Sequence, residues 1–254
     1  MAEMISRFIV LEEDGATELE QFTAEFGDAK VTYATLKSGS IDYYDSLLNE
    51  IFSDDFSGDF PGSKWVYENS STVSEDQKPR LDYDVGNEAP SLAIPFPKFG
   101  QNFSVSTATN PFDASAGFTI SVDVRNPETP SGSWVRSFSI IIVNQADQKL
   151  MASAEISPST AKIEYRASKG FDGRTALVQK DYFEDTDFHN FVFTIDELGN
   201  ASWSRDGVTQ MNSVDFPIGD YELKFRASGY AGPSFDTNVY NFMHYVDNVI
   251  VTVP

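Results

Sequence analysis

Asp185, Asp187 and His189 recur at every second position in the stretch DTDFH. In an extended strand that spacing sets all three on one face. Two carboxylates beside an imidazole are a set that could move protons or hold a metal ion. The competing reading is a polar turn leading into a strand, with His189 capping a sheet edge. It is preferred, because this mixture at this spacing arises readily by chance. His244, in NFMHYVDN, is the only other histidine, and the chain has no cysteine. Disulfides and thiolate metal sites are therefore excluded. No Gly-x-Ser-x-Gly elbow is present to present a serine nucleophile, and the glycine-rich pieces lack the phosphate-loop pattern. KIEYR places Lys162, Glu164 and Arg166 on one face, an alternating-charge exterior and not an acid pair.

The elements that would position these groups are strands. FHNFVFTIDELGNASWSRDGV, residues 188–208, alternates with Phe191, Phe193 and Ile195 on one side. It then breaks at Leu198-Gly199-Asn200 and resumes with Trp203. That is a hairpin whose Gly-Asn turn supplies the positive φ a tight connection needs. Similar alternation predicts strands over 65–68, 91–95, 102–107, 118–125, 135–144, 150–156, 161–166, 188–195, 201–205, 221–227 and 246–253. Clusters of Gly, Pro, Asn and Asp punctuate them, and SFSIIIVN is apolar on both phases, as a central strand covered on two sides should be. ENSSTVSEDQKPR reads as a loop. The fold class is mainly β, an antiparallel sandwich or barrel.

Residues 1–52 differ from 53–254. ISRFIVLEE and KVTYATLK read as strands. Leu19, Phe22 and Phe26 recur at helical spacing, as do Ile41, Tyr44, Leu48 and Ile51. A small N-terminal α+β segment of this size is short for an independent domain, and is expected to dock on the rest, on a partner or on copies of itself.

The charge narrows the partners. With 39 acidic against 18 basic residues the net charge is −21. Binding to nucleic acid needs clustered Lys and Arg, so that role is rejected, and insertion into a membrane is not expected, since no run approaches the roughly 18 apolar residues of a span. MAEMISRFIVLEEDG does not read as a secretory signal. Use without conventional secretion is expected, unless an export signal lies outside this sequence.

IFSDDFSGDFPGSKWVYEN (51–69), the 188–208 hairpin, and YELKFRASGYAG followed by YVDNVIVTVP together resemble the concanavalin A-like lectin and glucanase superfamily, over about residues 53–254. The resemblance implies a jelly roll of two packed antiparallel sheets. Its glycosidases carry Glu-x-Asp-x-x-Glu or a near variant on one strand. The nearest stretch here, SVDVRNPE, has Ser121 and Asn126 at the two glutamate positions, with Asp123 between them and Glu128 displaced. A non-catalytic protein is therefore expected. The resemblance also implies a structural Ca²⁺ bridging the first and last strands, matched here by Asp54, Asp55 and Asp247; the alternative is that these acids cap a sheet edge and a loop. For glycan stacking, Trp134, Tyr230, Phe235 and Tyr240 lie in or beside loops, the alternative being that they fold back on the core rim. GYAGPSFDTNVYNF is the first connection in which to seek a site. The combined expectation is a structural or adhesive virion-surface protein, such as a bacteriophage capsid decoration or fibre-like protein. Residues 1–52 would bind capsid or other virion proteins, and the lectin-like sandwich would meet cell-surface glycans. The alternatives are an extracellular carbohydrate-binding module and an atypical glycoside hydrolase or polysaccharide lyase, with Asp123, Asp185 and His189 its first candidates.

Overall fold

The computed structural model describes residues 49–69, 78–83, 90–95, 103–109, 112–126, 135–157, 160–169, 174–182, 185–217, 219–230 and 243–253. The chain divides into two units, Met1–Asn49 and Glu50–Pro254. The strands and helices expected between 1 and 48 lie outside the described residues.

Sixteen strands are described: β1 (Asn49–Asp54), β2 (Trp65–Asn69), β3 (Arg80–Asp82), β4 (Ser91–Pro95), β5 (Phe103–Thr109), β6 (Phe112–Asp113), β7 (Phe118–Arg125), β8 (Val135–Asn144), β9 (Leu150–Ser157), β10 (Lys162–Lys169), β11 (Arg174–Asp181), β12 (Phe188–Ile195), β13 (Ala201–Arg205), β14 (Val208–Ser213), β15 (Asp220–Tyr230) and β16 (Met243–Val253). They form two antiparallel sheets. Sheet A runs β14-β13-β12-β7-β16-β4-β3, with β1 also on β16. Sheet B runs β11-β10-β9-β8-β15-β5-β2, with β6 also on β15. The inner faces interdigitate: Phe118 of β7 meets Phe193 and Tyr221 at ring distances of 5.7 and 5.8 Å, and Tyr165 of β10 lies 6.1 Å from Trp203. Of the sandwich and the barrel that the alternation allowed, the antiparallel sandwich forms, and it is the jelly roll that the resemblance implied.

The alternation is cleanest in β7, where Phe118, Ile120, Val122 and Val124 are buried while Thr119, Ser121, Asp123 and Arg125 are partly exposed. The 188–208 hairpin closes as expected. The Asp196 carboxylate accepts the N–H groups of Leu198 (2.9 Å) and Asn200 (2.8 Å), and Gly199 takes φ 78°. A side chain there would strike the Phe216 carbonyl at 2.8 Å. The next turn, Asp206-Gly207, has φ of 50° and 73°, the pair of positive angles that lets two strands reverse within two residues.

Three expectations are corrected. The helical stripe ending at Ile51 is not helical there: Asn49–Asp54 is strand β1, which pairs with β16. Pairing with the last strand, and an edge-on contact of Phe52 with Trp65 at 5.4 Å, override the local spacing. The polar stretch before residue 81 is not loop to its end, because Arg80 opens β3 opposite Ala93. Finally, β11 and β14 were not legible as strands. In β11 the only apolar residues of the inward phase are Ala176 and Val178, and in β14 Met211 is the single large apolar anchor. Both are edge strands, which need little apolar content.

Candidate functional site

The outer face of sheet B can be read as rows from its register. One row crosses the sheet as Gln179, Glu164, Glu155, Ser139, Arg226, Ser106 and Glu68. The next is Leu177, Arg166, Ser153, Ile141, Lys224, Ala108 and Val66. Ser139 and Ser153 point away from the core yet are only 6% and 4% exposed. Short hydroxyl side chains sit here below long charged neighbours, so the floor is polar and recessed.

Most charges on this floor are matched. Lys224 Nζ donates to Glu68 Oε1 and Gln148 Oε1, each at 2.7 Å, and lies 3.3 Å from Glu222 Oε2. Arg166 donates to Glu164 at 2.6 Å, and Gln179 donates to the other Glu164 oxygen. Those two hydrogen bonds hold the Glu164 carboxyl below the usual carboxylate range. Lys162 bonds Asp181 at 2.6 Å, and the Ser137 and Ser228 hydroxyls are 3.0 Å apart. Among the described residues of the strand interiors, Glu155 and Arg226 are the charged side chains of this face with no hydrogen-bond or ion-pair partner. They flank Ser139.

The outer face of sheet A is built differently. Asp123 sits between two amides: Asn190 Nδ2 donates to its Oδ1 at 2.8 Å and Asn248 Nδ2 to its Oδ2 at 2.9 Å. Asn190 Nδ2 also donates to Ser121 at 2.9 Å. Thr119 reaches Thr194 at 3.4 Å, and the Arg125 guanidinium lies 5.8 Å from the Tyr245 ring centre. Asp123 thus serves the surface of the sheet.

The structure joins Asp185 to His189 and adds Asp206 from outside DTDFH. His189 Nε2 bonds Asp185 Oδ1 and Nδ1 bonds Asp206 Oδ2, each at 2.7 Å, and the Asp187 N–H donates to Asp185. The two carboxylates occupy opposite ring nitrogens, so they cannot converge with the imidazole on one ion. Burial works to lower the His189 pKa, and the hydrogen bonds that the ring donates to Asp206 and Asp185 outweigh it and raise it. The cluster ties the approach to β12 to the β13–β14 turn. His244 is a core residue, stacked at 4.7 Å on Phe138 of the other sheet, and burial pushes it down to about 3.

For the calcium expectation, β1 does pair with the last strand, but the donors are otherwise engaged. Asp54 accepts the Trp65 indole N–H at 2.6 Å and the Phe56 N–H at 3.0 Å, and Lys64 Nζ stands 3.4 Å from its Oδ1. An ammonium beside a carboxylate whose oxygens both accept hydrogen bonds does not fit a cation ligand. Asp55 caps Ser57 at 2.7 and 3.1 Å, bonds that lower its pKa. Asp247 is buried in β16 and accepts the Asn248 N–H at 2.9 Å. Among the described residues no three His, Cys, Asp or Glu side chains are grouped to hold a metal. Of the aromatic candidates, Tyr230 ends β15 opposite Val135; Trp134, Phe235 and Tyr240 lie outside the described residues. Sequence reasoning missed Glu155, Lys224 and Arg226, although their alternation with Ala154, Ile156, Leu223, Phe225 and Ala227 marked them as outward.

The two sheets and their polar outer faces define a concanavalin A-like jelly roll, and comparison with solved structures gives the same class. The carbohydrate recognition domain of Emp47p superposes with a TM-score of 0.54 at 14% identity, covering 81% of this chain and 94% of that one. Rv0315 of Mycobacterium tuberculosis, described as an immunostimulatory antigen and pseudo β-1,3-glucanase, gives 0.54 at 15%, covering 81% and 99%. The β-glucanase of Bacillus licheniformis gives 0.53 at 10%, covering 80% and 97%. No protein-family model matches the sequence, and no curated protein matches it.

Proposed function

We propose that residues 50–254 form a non-catalytic carbohydrate-binding sandwich whose ligand lies on the outer face of sheet B. The observation that carries this reading is the recessed row Glu155–Ser139–Arg226, in which two charged side chains without partners flank a shielded hydroxyl. Sugars are recognised by such planar, charged hydrogen-bonding groups set into a rigid sheet. Tyr230, the last residue of β15, pairs with Val135, the first residue of β8.

Glycoside hydrolysis needs a free acid and a free carboxylate across the scissile bond. Glu155 and Glu164 are direct cross-strand neighbours, but both Glu164 oxygens are taken by Arg166 and Gln179. Asp220 and Glu222 are spaced by two, and Glu222 lies against Lys224 and Gln148. These engagements favour binding over cleavage. Lys64, 3.4 Å from Asp54, supplies at that carboxylate the positive charge a calcium ion would bring. The virion-surface setting and a capsid partner for residues 1–52 draw no support from the fold, and the glycan-binding reading does not need them.

The test pairs a glycan array with reducing-end release from a panel of polysaccharides. Binding that Tyr230→Ala or Ser139→Tyr weakens, with no release of reducing ends, supports the proposal. Release that both Glu155→Gln and Glu164→Gln abolish would replace it with hydrolysis.

A further inference from the structure

The charge accounting of sheet B says what kind of saccharide the floor selects. Three cations of its outer face are neutralised within the protein: Lys162 by Asp181, Arg166 by Glu164, and Lys224 by Glu68 and Glu222. Arg226 stands exposed in mid-strand, between Ser139 and Ser106, with no such partner. In a chain with 39 acids and 18 bases, leaving one guanidinium unmatched beside a row of carboxylates is not a shortage of acids. A guanidinium also offers a planar fork of donors that fits a carboxylate in two parallel hydrogen bonds. Glu155 lies two strands away across Ser139, about 9–10 Å by the ordinary strand spacing. Ionised, it is acceptor-only and suits sugar hydroxyls.

Building on the glycan-binding reading, we infer that the floor takes an otherwise neutral saccharide bearing an isolated carboxylate. Arg226 binds that carboxylate and Glu155 accepts hydroxyls of the neighbouring sugar. The net charge of −21 argues for isolation of the ligand's charge: a dense polyanion such as heparin is repelled at long range, and one guanidinium cannot offset that. A neutral glycan leaves Arg226 without a counter-charge.

The experiment is calorimetric titration of the full chain with 3′-sialyllactose and with a glucuronic-acid-decorated xylo-oligosaccharide. The methyl ester of each, lactose, undecorated xylo-oligosaccharide and heparin serve as comparators. At least one acidic oligosaccharide is expected to bind tenfold or more tighter than its own ester, and which of the two does so identifies the source of the acidic sugar. Arg226→Met is expected to remove that preference, bringing acid and ester to the same affinity. Arg226→Lys should retain less than a third of the preference, since it keeps the charge and loses the fork. Glu155→Ala should weaken acid and ester by the same factor. Equal affinity for acid and ester, tighter binding of heparin, or a preference that survives Arg226→Met would overturn the inference and leave neutral-glycan binding standing. Failure of the wild-type chain to bind any saccharide here or on the array overturns both readings.

Discussion

The outer faces of the two sheets start from the same alternation and end as different surfaces. On sheet A the polar groups engage one another: Asp123 is held between Asn190 and Asn248, and Thr119 bonds Thr194. On sheet B serines lie shielded between long charged side chains, most of which are paired, and Glu155 and Arg226 are left over. Pattern assigns a residue to a face, while partnering decides whether that face is finished or is available to a ligand. A polar row whose members already bond one another gives up those bonds to bind; a row with unmatched ends does not.

The largest expected effect probes the paired part of sheet B. Lys224→Ala should destabilise the sandwich by about 2–4 kcal/mol in chemical denaturation, because it leaves Glu68 and Glu222 facing each other without their cation. A loss below about 0.5 kcal/mol would show that the floor is not held by this network.

Next comes pH. His244 is buried between the sheets with its pKa pushed down to about 3. A folded pKa below the unfolded value near 6.5 means full stability above about pH 6.5, lost as pH falls through that window towards 3. The loss has a limiting slope of about 1.4 kcal/mol per pH unit, and His244→Phe should flatten it. His189, on the rim of sheet A, has the opposite sign. Its raised pKa stabilises below about pH 6.5, and the contribution fades as pH rises through the folded value. With half-exposed carboxylates as partners, His189→Gln should cost about 0.5–1 kcal/mol at pH 6 and less at pH 8, as urea denaturation at the two pH values would reveal.

Asp123→Asn should cost about 1 kcal/mol, since it sets three amides against one another where a carboxylate accepted from two. The smallest effects are expected at the unmatched pair. Arg226→Met and Glu155→Ala should each change stability by less than about 0.5 kcal/mol while changing saccharide affinity. A large stability loss from either would erase the distinction between the faces.

The strand bounds show how much of this was legible. β4, β7, β8, β12 and β13 fall where alternation and turn residues put them, because in each a run of buried apolar residues recurs at every second position. β1 was misread because Ile51 fits a helical stripe as well as a strand phase, and only β16 could break the tie. The site was less legible than the fold. DTDFH drew notice by composition, yet Asp206, seventeen residues from His189, shares its imidazole. Glu155 and Arg226 drew none, since in their own strands they are ordinary outward residues.

The sequence alone determined that residues beyond the first fifty-odd make a two-layered antiparallel sandwich, because period-two burial is a local property that each strand carries. The tertiary structure alone decided which charges are matched, because Lys224 and Glu68 are 156 residues apart and Asn248 and Asp123 are 125 apart. Electrostatic neutralisation acts through space, and no spacing along the chain records it.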